Sequence, residues 1–307
     1  MLEERSCAIG LDVGGTKIAA GLVAREDGAV LARRITPTLP QRGGHEVLGD
    51  AVALAHELLV EASSLGCSVA GIGVGVCELV DPHGHITSAH TVAWRGLPVR
   101  ETFAQLAPTV VESDARAPAL AEARYGAGQP YRLFTYVTVG TGISYCLMQE
   151  GRPYAGAQGN ALILASSPLT TTCTECGAVL KPVLEEFASG PALVARYNQA
   201  TGAHLLGAEA VLAAAASGDA TANEIARSGG EALGVSVGWL VNVLDPEAVI
   251  VGGGLGSANG PYWDAFVASA RAHIWSDTNR DLPILHAALG PDAGMIGAAA
   301  TVFQDES

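Results

Sequence analysis

The first third of the chain alternates apolar runs with glycine turns. Gly14–Lys17 separates the first two runs, and apolar residues recur at helical spacing from Ala51 to Leu65, which predicts a helix that ends at Gly66. Four runs have the length and apolar character of strands: Cys7–Val13, Ile18–Ala24, Ala29–Ile35 and Val69–Val76. Three strands before the first helix distinguish this chain from a dinucleotide-binding fold, in which a helix follows the first glycine turn.

A weaker copy of this opening lies in the middle of the chain. Phe134–Val139 and Ile143–Gln149 predict strands, and Gly140–Gly142 forms the turn between them. The repetition indicates an internal duplication, in which two related domains each contribute one glycine turn to a shared cleft. The rest of the chain predicts a long helix, a strand, a glycine run and a last helix: Glu224–Leu244, Ala248–Val251, Gly252–Gly254 and Gly294–Val302.

We therefore expect an α/β protein of two domains with a soft border near residue 115. Residues 1–115 form the expected N-terminal α/β domain, and the C-terminal helix within residues 294–307 packs back onto it. Residues 116–293 form the expected C-terminal α/β domain. The length of 307 residues suffices for two cores of ordinary size.

Composition and charge narrow the range of functions. Hydrophobic residues make up 49% of the chain and charged residues 16%, so we expect it to fold. The formal net charge of −14 argues against nucleic acid and anionic membranes as partners, because both need basic patches, whereas backbone amides still suffice for nucleotides. The chain shows no signal-peptide pattern, no apolar run long enough to span a bilayer, and only six scattered cysteines, which together predict a cytoplasmic protein.

The first glycine turn has the residue types that bind phosphate. Gly14 and Gly15 let the backbone approach an anion closely, so that amides can donate to phosphate oxygens. Asp12, at the end of the preceding strand, is placed to hold water around Mg²⁺, while Thr16 and Lys17 are placed to reach phosphate. The alternative is an ordinary hairpin with a glycine turn.

Several short motifs together resemble one family. In chain order they are LDVGGTK at 11–17, GTG within VGTGI at 139–143, GAQGNA at 156–161, LEEFASG at 184–190, VIVGGG at 249–254 and AGMIGAA at 293–299. This order is similar to that of the ROK family of sugar kinases and related repressors, members of the actin–hexokinase superfamily. The resemblance implies an actin-like ATPase (ribonuclease H-like) two-domain fold with a central interdomain cleft. It also implies ATP with Mg²⁺, bound in part by Gly140, Thr141, Gly142, Gly252, Gly253 and Gly254.

The resemblance also implies a catalytic carboxylate. The segment VESDAR at 111–116 is similar to the family motif that carries the general base, and on that match the base is Asp114. Phosphoryl transfer needs few chemical groups, because it depends mainly on positioning and on neutralising charge. One carboxylate within hydrogen-bond reach of the attacking hydroxyl is enough to accept its proton. The alternative is that Asp114 caps a helix over Ala115–Tyr125, and both roles can coexist.

The sugar-contacting positions depart from the family pattern. Ser113 and Arg116 stand where the family motif usually has two Asn residues. Ile163 and Ser166 stand where it has a sugar-contacting Glu and a metal-binding His. An apolar side chain cannot pair with sugar hydroxyls, and unpaired hydroxyls are costly, so we expect an acceptor other than glucose.

Other positions are expected to contact the acceptor. Glu185 matches a retained family Glu, and Gly159 and Asn160 belong to the GAQGNA motif. Glu78 and His90 introduce polar groups where the family usually has Gly and often has Asn. For Glu78, an internal pair with Arg116 or a solvated loop charge is an equally good interpretation, and His90 on a loop is more commonly a surface histidine.

The zinc motif of the family is incomplete in this chain. Cys173 and Cys176 remain, but the third Cys is replaced near Val183 and the His position holds Ser166. Two thiolates do not complete a tetrahedral site, so we expect no structural zinc. A redox pair is the other interpretation of this CxxC spacing, but it lacks a thioredoxin-like context.

These observations lead to one main functional hypothesis and two alternatives. The main hypothesis is an ATP- and Mg²⁺-dependent kinase that phosphorylates a primary hydroxyl of an amino sugar, another modified hexose or a C7-cyclitol. The alternatives are a non-catalytic, sugar-sensing regulator and an actin-like ATPase that acts on partner proteins. The family resemblance further implies a homodimer.

Overall fold

The computed structural model describes residues 5–169 and 171–304. The helices, in chain order, are α1 Gly44–Ser64, α2 Val99–Ala104, α3 Arg116–Tyr125, α4 Glu185–Ala188, α5 Gly190–Thr201, α6 Ala208–Ala216, α7 Ala220–Leu244, α8 Pro261–His273, α9 Asp277–Arg280 and α10 Ala293–Thr301. The strands are β1 Arg5–Val13, β2 Lys17–Ala24, β3 Val30–Pro37, β4 Cys67–Val76, β5 Thr109–Ser113, β6 Leu133–Val139, β7 Ile143–Gln149, β8 Arg152–Pro153, β9 Thr171–Thr172, β10 Val179–Leu180, β11 Ala248–Gly252 and β12 Ile284–His286. Within the described residues, every helix is too short or too polar to cross a lipid bilayer.

The chain divides into two compact units. The first unit comprises Met1–Arg132, Cys146–Ala161 and Ala288–Ser307, and the second comprises Leu133–Tyr145 and Leu162–Ala287. Two mixed five-stranded sheets with flanking helices give the α/β class that the sequence predicts. The predicted domain border near residue 115 stays a prediction.

The sheet of the first unit has the strand order β3-β2-β1-β4-β5. β1, β2 and β3 pair antiparallel, whereas β1, β4 and β5 run parallel, so the carboxyl ends of the last three strands lie at one edge. α10 packs directly on this sheet, because a Cβ on Gly73 would lie only 1.7 Å from the carbonyl oxygen of Ala298. Glycine in β4 therefore lets the last helix touch the strand backbone.

The second sheet has the strand order β12-β11-β6-β7-β8, with β11 parallel to both β6 and β12. In the second unit, α7 packs closely on α8. A Cβ on Gly230 would lie 2.1 Å from the carbonyl oxygen of Tyr262, and one on Gly234 would lie 2.6 Å from that of Phe266. The glycines of α7 thus form a small-residue face that lets the two helices touch.

Candidate active site

The parallel strands of the first unit bring three acidic residues to one edge of the sheet. Val13 on β1 is in register with Val76 on β4, which is in register with Ser113 on β5. The ladder continues past the strand ends, since the Asp114 amide donates to the Val76 carbonyl at 2.9 Å. Asp12, Glu78 and Asp114 follow or end these strands, and ligands in α/β sheets commonly bind outside such carboxyl ends.

Asp114 has the properties of a general base. Part of its side chain reaches solvent, and protein atoms surround the rest. This partial burial, together with the negative charges of Asp12 and Glu78, raises the pKa of Asp114 to about 7. The capping interpretation is wrong, because α3 begins at Arg116 and its N-cap position is occupied by Ala115. The side chain at that position makes no capping hydrogen bond. A carboxylate whose pKa lies near neutral pH is suited to taking a proton from an alcohol.

Asp12 has space beside its carboxylate that only glycine provides. A Cβ on Gly294, at the start of α10, would lie 2.5 Å from Asp12 Oδ2. Burial raises the pKa of Asp12, and the positive charge of Lys17 opposes that shift. The carboxylate of Asp12 is a hard oxygen donor of the kind that Mg²⁺ prefers, so this residue fits the ion.

The first glycine turn is fixed from two sides. The Gly14 amide donates to the Lys17 carbonyl at 3.0 Å, and the buried Thr38 hydroxyl donates to the Gly14 carbonyl at 2.6 Å. On the other side a Cβ on Gly15 would lie 2.6 Å from Thr91 Cγ2. The predicted phosphate turn is therefore held rigidly in place, with Thr16 and Lys17 exposed.

Glu78 holds the loop of residues 88–92, which includes Thr91. The residue is only 3% exposed. Its Oε2 accepts the Ser88 hydroxyl and the His90 amide (2.8 Å), and its Oε1 accepts the amides of Thr91 (2.6 Å) and Val92 (2.8 Å). Burial acts to raise the pKa of Glu78, but these hydrogen bonds outweigh it and lower the pKa.

This geometry changes the interpretation of Glu78. The solvated-charge interpretation is wrong because the side chain is buried, and the pairing with Arg116 is wrong because that arginine pairs with Glu112 at 2.6 Å. A carboxylate has about four acceptor positions, and the loop uses four. The predicted contact of Glu78 with an acceptor hydroxyl requires one of these bonds to break.

Arg116 is also engaged within the protein. Its side chain is buried, and it donates to Glu112 Oε1, to the Gly159 carbonyl at 2.9 Å and to the Val80 carbonyl at 2.8 Å. The predicted direct contact with a substrate falls to the N–H groups of the guanidinium that these three bonds leave over. Ser113 is buried too, and its hydroxyl accepts the Arg116 amide at 3.4 Å.

The remaining predicted acceptor residues of the first unit differ in exposure. Gly159 is buried with a positive φ of 77°, while its neighbour Asn160 is exposed. His90 is exposed, as expected for a surface histidine, and only its amide contacts Glu78. Among these residues the exposed side chains of Asn160 and His90 are available to a ligand.

The second unit brings two predicted nucleotide motifs and Glu185 together. The Leu255 amide, directly after the glycine run, donates to the Val139 carbonyl at 3.0 Å, and a Cβ on Gly253 would lie 2.4 Å from that same oxygen. Glu185 Oε2 accepts the Ile143 amide at 2.8 Å, at the end of the other turn, and a Cβ on Gly142 would lie 2.6 Å from it. Val139 thus connects the turn at Gly140–Gly142 with the run at Gly252–Gly254, and Glu185 supports the turn.

The segment that departs most from the family pattern is exposed. Ile163 and Ser166 present their side chains to solvent, Cys173 is partly exposed and Cys176 is exposed. Within residues 5–169 and 171–304, no three His, Cys, Asp or Glu side chains are grouped so as to hold a metal ion. The expectation of no structural zinc stays a prediction.

Four residues that sequence reasoning did not select contribute to the site. Thr38 and Thr91 hold the first glycine turn, and Gly294 makes room for Asp12. Cys77 lies between β4 and Glu78, where burial and the charges of Asp114 and Glu78 raise its pKa to about 12, so its thiol stays neutral. Of these, only Gly294 carried a signal, since it lies in one of the quoted motifs.

Comparison with known proteins identifies the family. A sequence model of the ROK family matches residues 8–305. The chain is 30% identical to a glucokinase of Streptomyces coelicolor (95% of this chain, 96% of the relative) and 30% identical to an N-acetylmannosamine kinase of Escherichia coli, with the same coverage. It also resembles the crystal structure of a ROK glucokinase from Streptomyces griseus in complex with glucose and AMPPNP, with a TM-score of 0.82, 29% identity and coverage of 97% and 99%.

A ROK hexokinase structure from Thermus thermophilus gives a TM-score of 0.79 at 30% identity and covers 98% of this chain and 99% of that one. These likenesses extend along nearly the whole length of every chain compared. The fold is that of the actin-like ATPases, as predicted from the sequence. The chain belongs to the ROK family.

Proposed function

We propose that the chain is an ATP-dependent carbohydrate kinase that transfers the γ-phosphoryl group of ATP to a primary hydroxyl of a sugar or sugar-like cyclitol. The observation that carries this proposal is Asp114, a carboxylate with a pKa raised to about 7 at the carboxyl end of a parallel strand. It lies in the same acidic cluster as Asp12, next to a turn suited to phosphate. The glucokinase and N-acetylmannosamine kinase relatives support the same reaction class.

In the proposed reaction, Asp114 accepts the proton of the acceptor hydroxyl as its oxygen forms a bond to the γ-phosphorus. The bond between that phosphorus and the bridging oxygen breaks, and ADP leaves with the electron pair. The acidic neighbours Asp12 and Glu78 raise the proton affinity of Asp114, which strengthens it as a base. Ionised Asp114 remains abundant at pH 7, because its pKa lies there.

ATP is the proposed donor, and each unit carries glycine turns that are predicted to bind nucleotide phosphates. In the first unit these are Gly14 and Gly15, with Thr16 and Lys17 exposed beside them. In the second unit they are the turn at Gly140–Gly142 and the run at Gly252–Gly254. Mg²⁺ would neutralise charge on the phosphoryl oxygens, and Asp12 is the residue that would hold it.

For the acceptor we favour a C7-cyclitol, an amino sugar or another modified hexose over glucose. Ile163, which matches the position of the family's sugar-contacting Glu, is exposed and cannot accept a hydrogen bond. Arg116 and Ser113, which match two further polar positions, are buried in contacts with the protein. Glu185, Asn160 and His90 remain as the polar groups assigned to the acceptor.

An acceptor panel tests the proposed function. ADP release is measured with MgATP and, in turn, glucose, mannose, N-acetylmannosamine, glucosamine and C7-cyclitols, with Asp114→Asn as the inactive control. Strong acceptor-dependent turnover that the control lacks supports the kinase. Acceptor-independent hydrolysis indicates an ATPase, and ligand binding without turnover indicates a sugar-sensing regulator. Glucose as the best acceptor overturns the assignment of the acceptor alone.

We also propose that the protein is a homodimer, with one face of α7 at its centre. Val235, Trp239 and Val243 lie four residues apart and are 38%, 66% and 70% exposed, and Trp275 nearby is 87% exposed. We call these four residues the tryptophan stripe. Asn242 fixes Trp275 beside α7, because its Oδ1 accepts the Trp275 amide at 2.8 Å and its Nδ2 donates to the His273 carbonyl at 2.8 Å.

The tryptophan stripe suits a second copy of this chain. Its spacing is symmetric about Trp239, so a two-fold axis there pairs Val235 of one copy with Val243 of the other. No charged residue interrupts positions 235–243, which matters in a chain of net charge −14. Two tryptophans of about 200 Å² each and two valines form a patch of about 500 Å², enough for the apolar centre of an interface of about 800 Å² per partner.

The oligomeric state checks this proposal. Light scattering coupled to size-exclusion chromatography is expected to give a dimer for the wild type and a monomer for Trp239→Asp. Leu206→Asp is the matched control, because Leu206 is 99% exposed and lies outside the stripe. A monomeric wild type, or a variant at Trp239 that stays dimeric, contradicts the proposal.

A further inference from the structure

We propose that Arg116 is a positioning residue for phosphoryl transfer: it fastens the segment of residues 156–161 to the loop that follows β4, and thereby places the acceptor relative to Asp114. The inference rests on the proposed kinase function for its catalytic consequence. The structural consequence, a fixed segment, stands without it. We call residues 156–161 the acceptor segment, because Asn160 belongs to it.

The contacts of Arg116 point in three directions. Nη1 donates to the Gly159 carbonyl at 2.9 Å, Nη2 donates to the Val80 carbonyl at 2.8 Å, and Nε donates to Glu112 Oε1 at 2.6 Å. The residue is only 6% exposed, so solvent does not compete for these bonds. A single planar side chain thus joins the strand end before Asp114, the loop after β4 and the acceptor segment.

Gly159 shows how tightly the two segments are pressed together. Its φ is 77°, a left-handed conformation that favours glycine, and a Cβ there would lie 2.0 Å from the Val80 carbonyl oxygen. The two carbonyls that Arg116 binds therefore belong to segments that lie in direct contact at Gly159. The Ala161 amide donates to the Ala155 carbonyl at 3.1 Å, and this hydrogen bond closes the acceptor segment into a compact loop. Arg116 holds this loop from one side.

The position of Arg116 links this loop to the chemistry. It occupies the first turn of α3, two residues after Asp114, and its partner Glu112 also accepts the Ser113 amide at 2.7 Å. Asn160, next to Gly159, is exposed and assigned to the acceptor. The base and an acceptor-binding side chain are therefore held through one guanidinium. Lysine, with a compact ammonium on a flexible stem, does not reproduce three divergent bonds.

The first experiment measures steady-state kinetics of Arg116→Lys against the wild type, with Arg34→Lys as the matched control. Arg34, on β3, also pairs with two carboxylates, Glu57 and Glu61 of α1, but it does so at the protein surface. We expect Arg116→Lys to lower kcat/KM for the acceptor by 10- to 100-fold, mainly through KM, with KM for ATP within twofold of the wild type. A variant that loses only thermal stability, with both KM values unchanged at 20 °C, overturns the positioning role.

Chemical rescue gives a second readout that a merely structural role does not move. Added methylguanidinium is expected to restore acceptor kcat/KM of Arg116→Ala by at least tenfold and to leave Arg34→Ala unchanged. If Arg116→Ala does not fold, Gly159→Ala replaces it. Its new Cβ displaces the acceptor segment from Val80, and the same rise in acceptor KM without a change for ATP is expected. Unchanged acceptor KM in that variant contradicts the proposal.

Hydrogen–deuterium exchange separates failure of this inference from failure of the proposed function. In Arg116→Lys, the amides of residues 156–161 are expected to exchange at least tenfold faster than in the wild type, while Arg34→Lys leaves them unchanged. Unchanged exchange overturns the inference whatever the activity. If exchange is faster in Arg116→Lys but the wild type phosphorylates no acceptor in the panel, the fastening role of Arg116 is supported and the proposed kinase function is overturned.

Discussion

The acid side of the pH–rate profile is the most direct check on the proposed base. Asp114 must be ionised to accept a proton, and its pKa of about 7 is set by burial and by the charges of Asp12 and Glu78. Acceptor kcat/KM is therefore expected to fall about tenfold for each pH unit below 7. The substitution Glu78→Gln removes one of those charges and is expected to move this limb to lower pH.

The size of the shift follows from Coulomb's law. Adjacent strands lie about 4.8 Å apart, and Glu78 and Asp114 follow the ends of the adjacent strands β4 and β5, so we take a carboxylate separation on the order of 7 Å. Two unit charges at that distance repel by about 2.4 kcal/mol at an effective dielectric of 20 and about 0.6 kcal/mol in water. Asp114 is accessible to solvent, so about 1 kcal/mol, or just under one pH unit, is expected.

The assay is direct detection of ADP between pH 5 and 9 at saturating MgATP. The terminal phosphate of ATP titrates in the same region, so wild type and Glu78→Gln are compared at identical nucleotide, which cancels the contribution of the nucleotide. Glu101→Gln, an exposed change on α2, is the control for loss of one negative charge elsewhere. A limb that is absent above pH 5, or one that stays in place in Glu78→Gln, refutes the assigned pKa or its electrostatic cause.

Four further predictions concern turnover, the stability effect of the base, packing and the metal. Asp114→Asn is expected to lose turnover by about 10²- to 10⁴-fold with ATP binding retained in calorimetry. Because the folded-state pKa of Asp114 is raised, ionisation of this carboxyl lowers the stability of the fold as the pH rises from about 4 to about 7. Asp114→Asn is therefore expected to melt about 2–4 °C above the wild type at pH 8 and at the same temperature as the wild type at pH 4. Gly73→Ala is expected to lower the free energy of unfolding in denaturant by about 3 kcal/mol, since its Cβ would meet Ala298. Gly49→Ala, which has open space on α1, is expected to raise that free energy by about 0.5–1 kcal/mol. Equal effects of the two substitutions refute the packing argument. A zinc-selective chelator with Mg²⁺ in excess is expected to leave kinase activity unchanged, and a loss restored by zinc contradicts this.

The elements with strong apolar runs were predictable from the sequence. The strand–turn–strand opening is confirmed by β1 and β2, and the middle copy by β6 and β7. The short strand β5 carried little signal, because its five residues include a glutamate and its stability comes from parallel pairing with β4. The helix α1 starts at Gly44, earlier than predicted, where Trp94 Nε1 donates to the Gly44 carbonyl at 2.9 Å.

The roles of polar residues depend on contacts that sequence spacing does not encode. Glu78 and Arg116 both looked available to a substrate, since each stands where the family pattern has a different residue. Their partners lie far along the chain: the Gly159 carbonyl is 43 residues from Arg116, and the Glu78 bonds reach 10–14 residues ahead. Only tertiary structure shows that these charges organise loops.

The order in which the polypeptide is made has a consequence for this site. The acidic cluster belongs to a unit whose last piece, Ala288–Ser307, leaves the ribosome after the whole of the second unit has been synthesised. Gly294, which makes room for the Asp12 carboxylate, arrives with that piece. A nascent chain therefore contains every proposed catalytic side chain well before its catalytic centre can form. Truncated products contain these residues but lack the complete site.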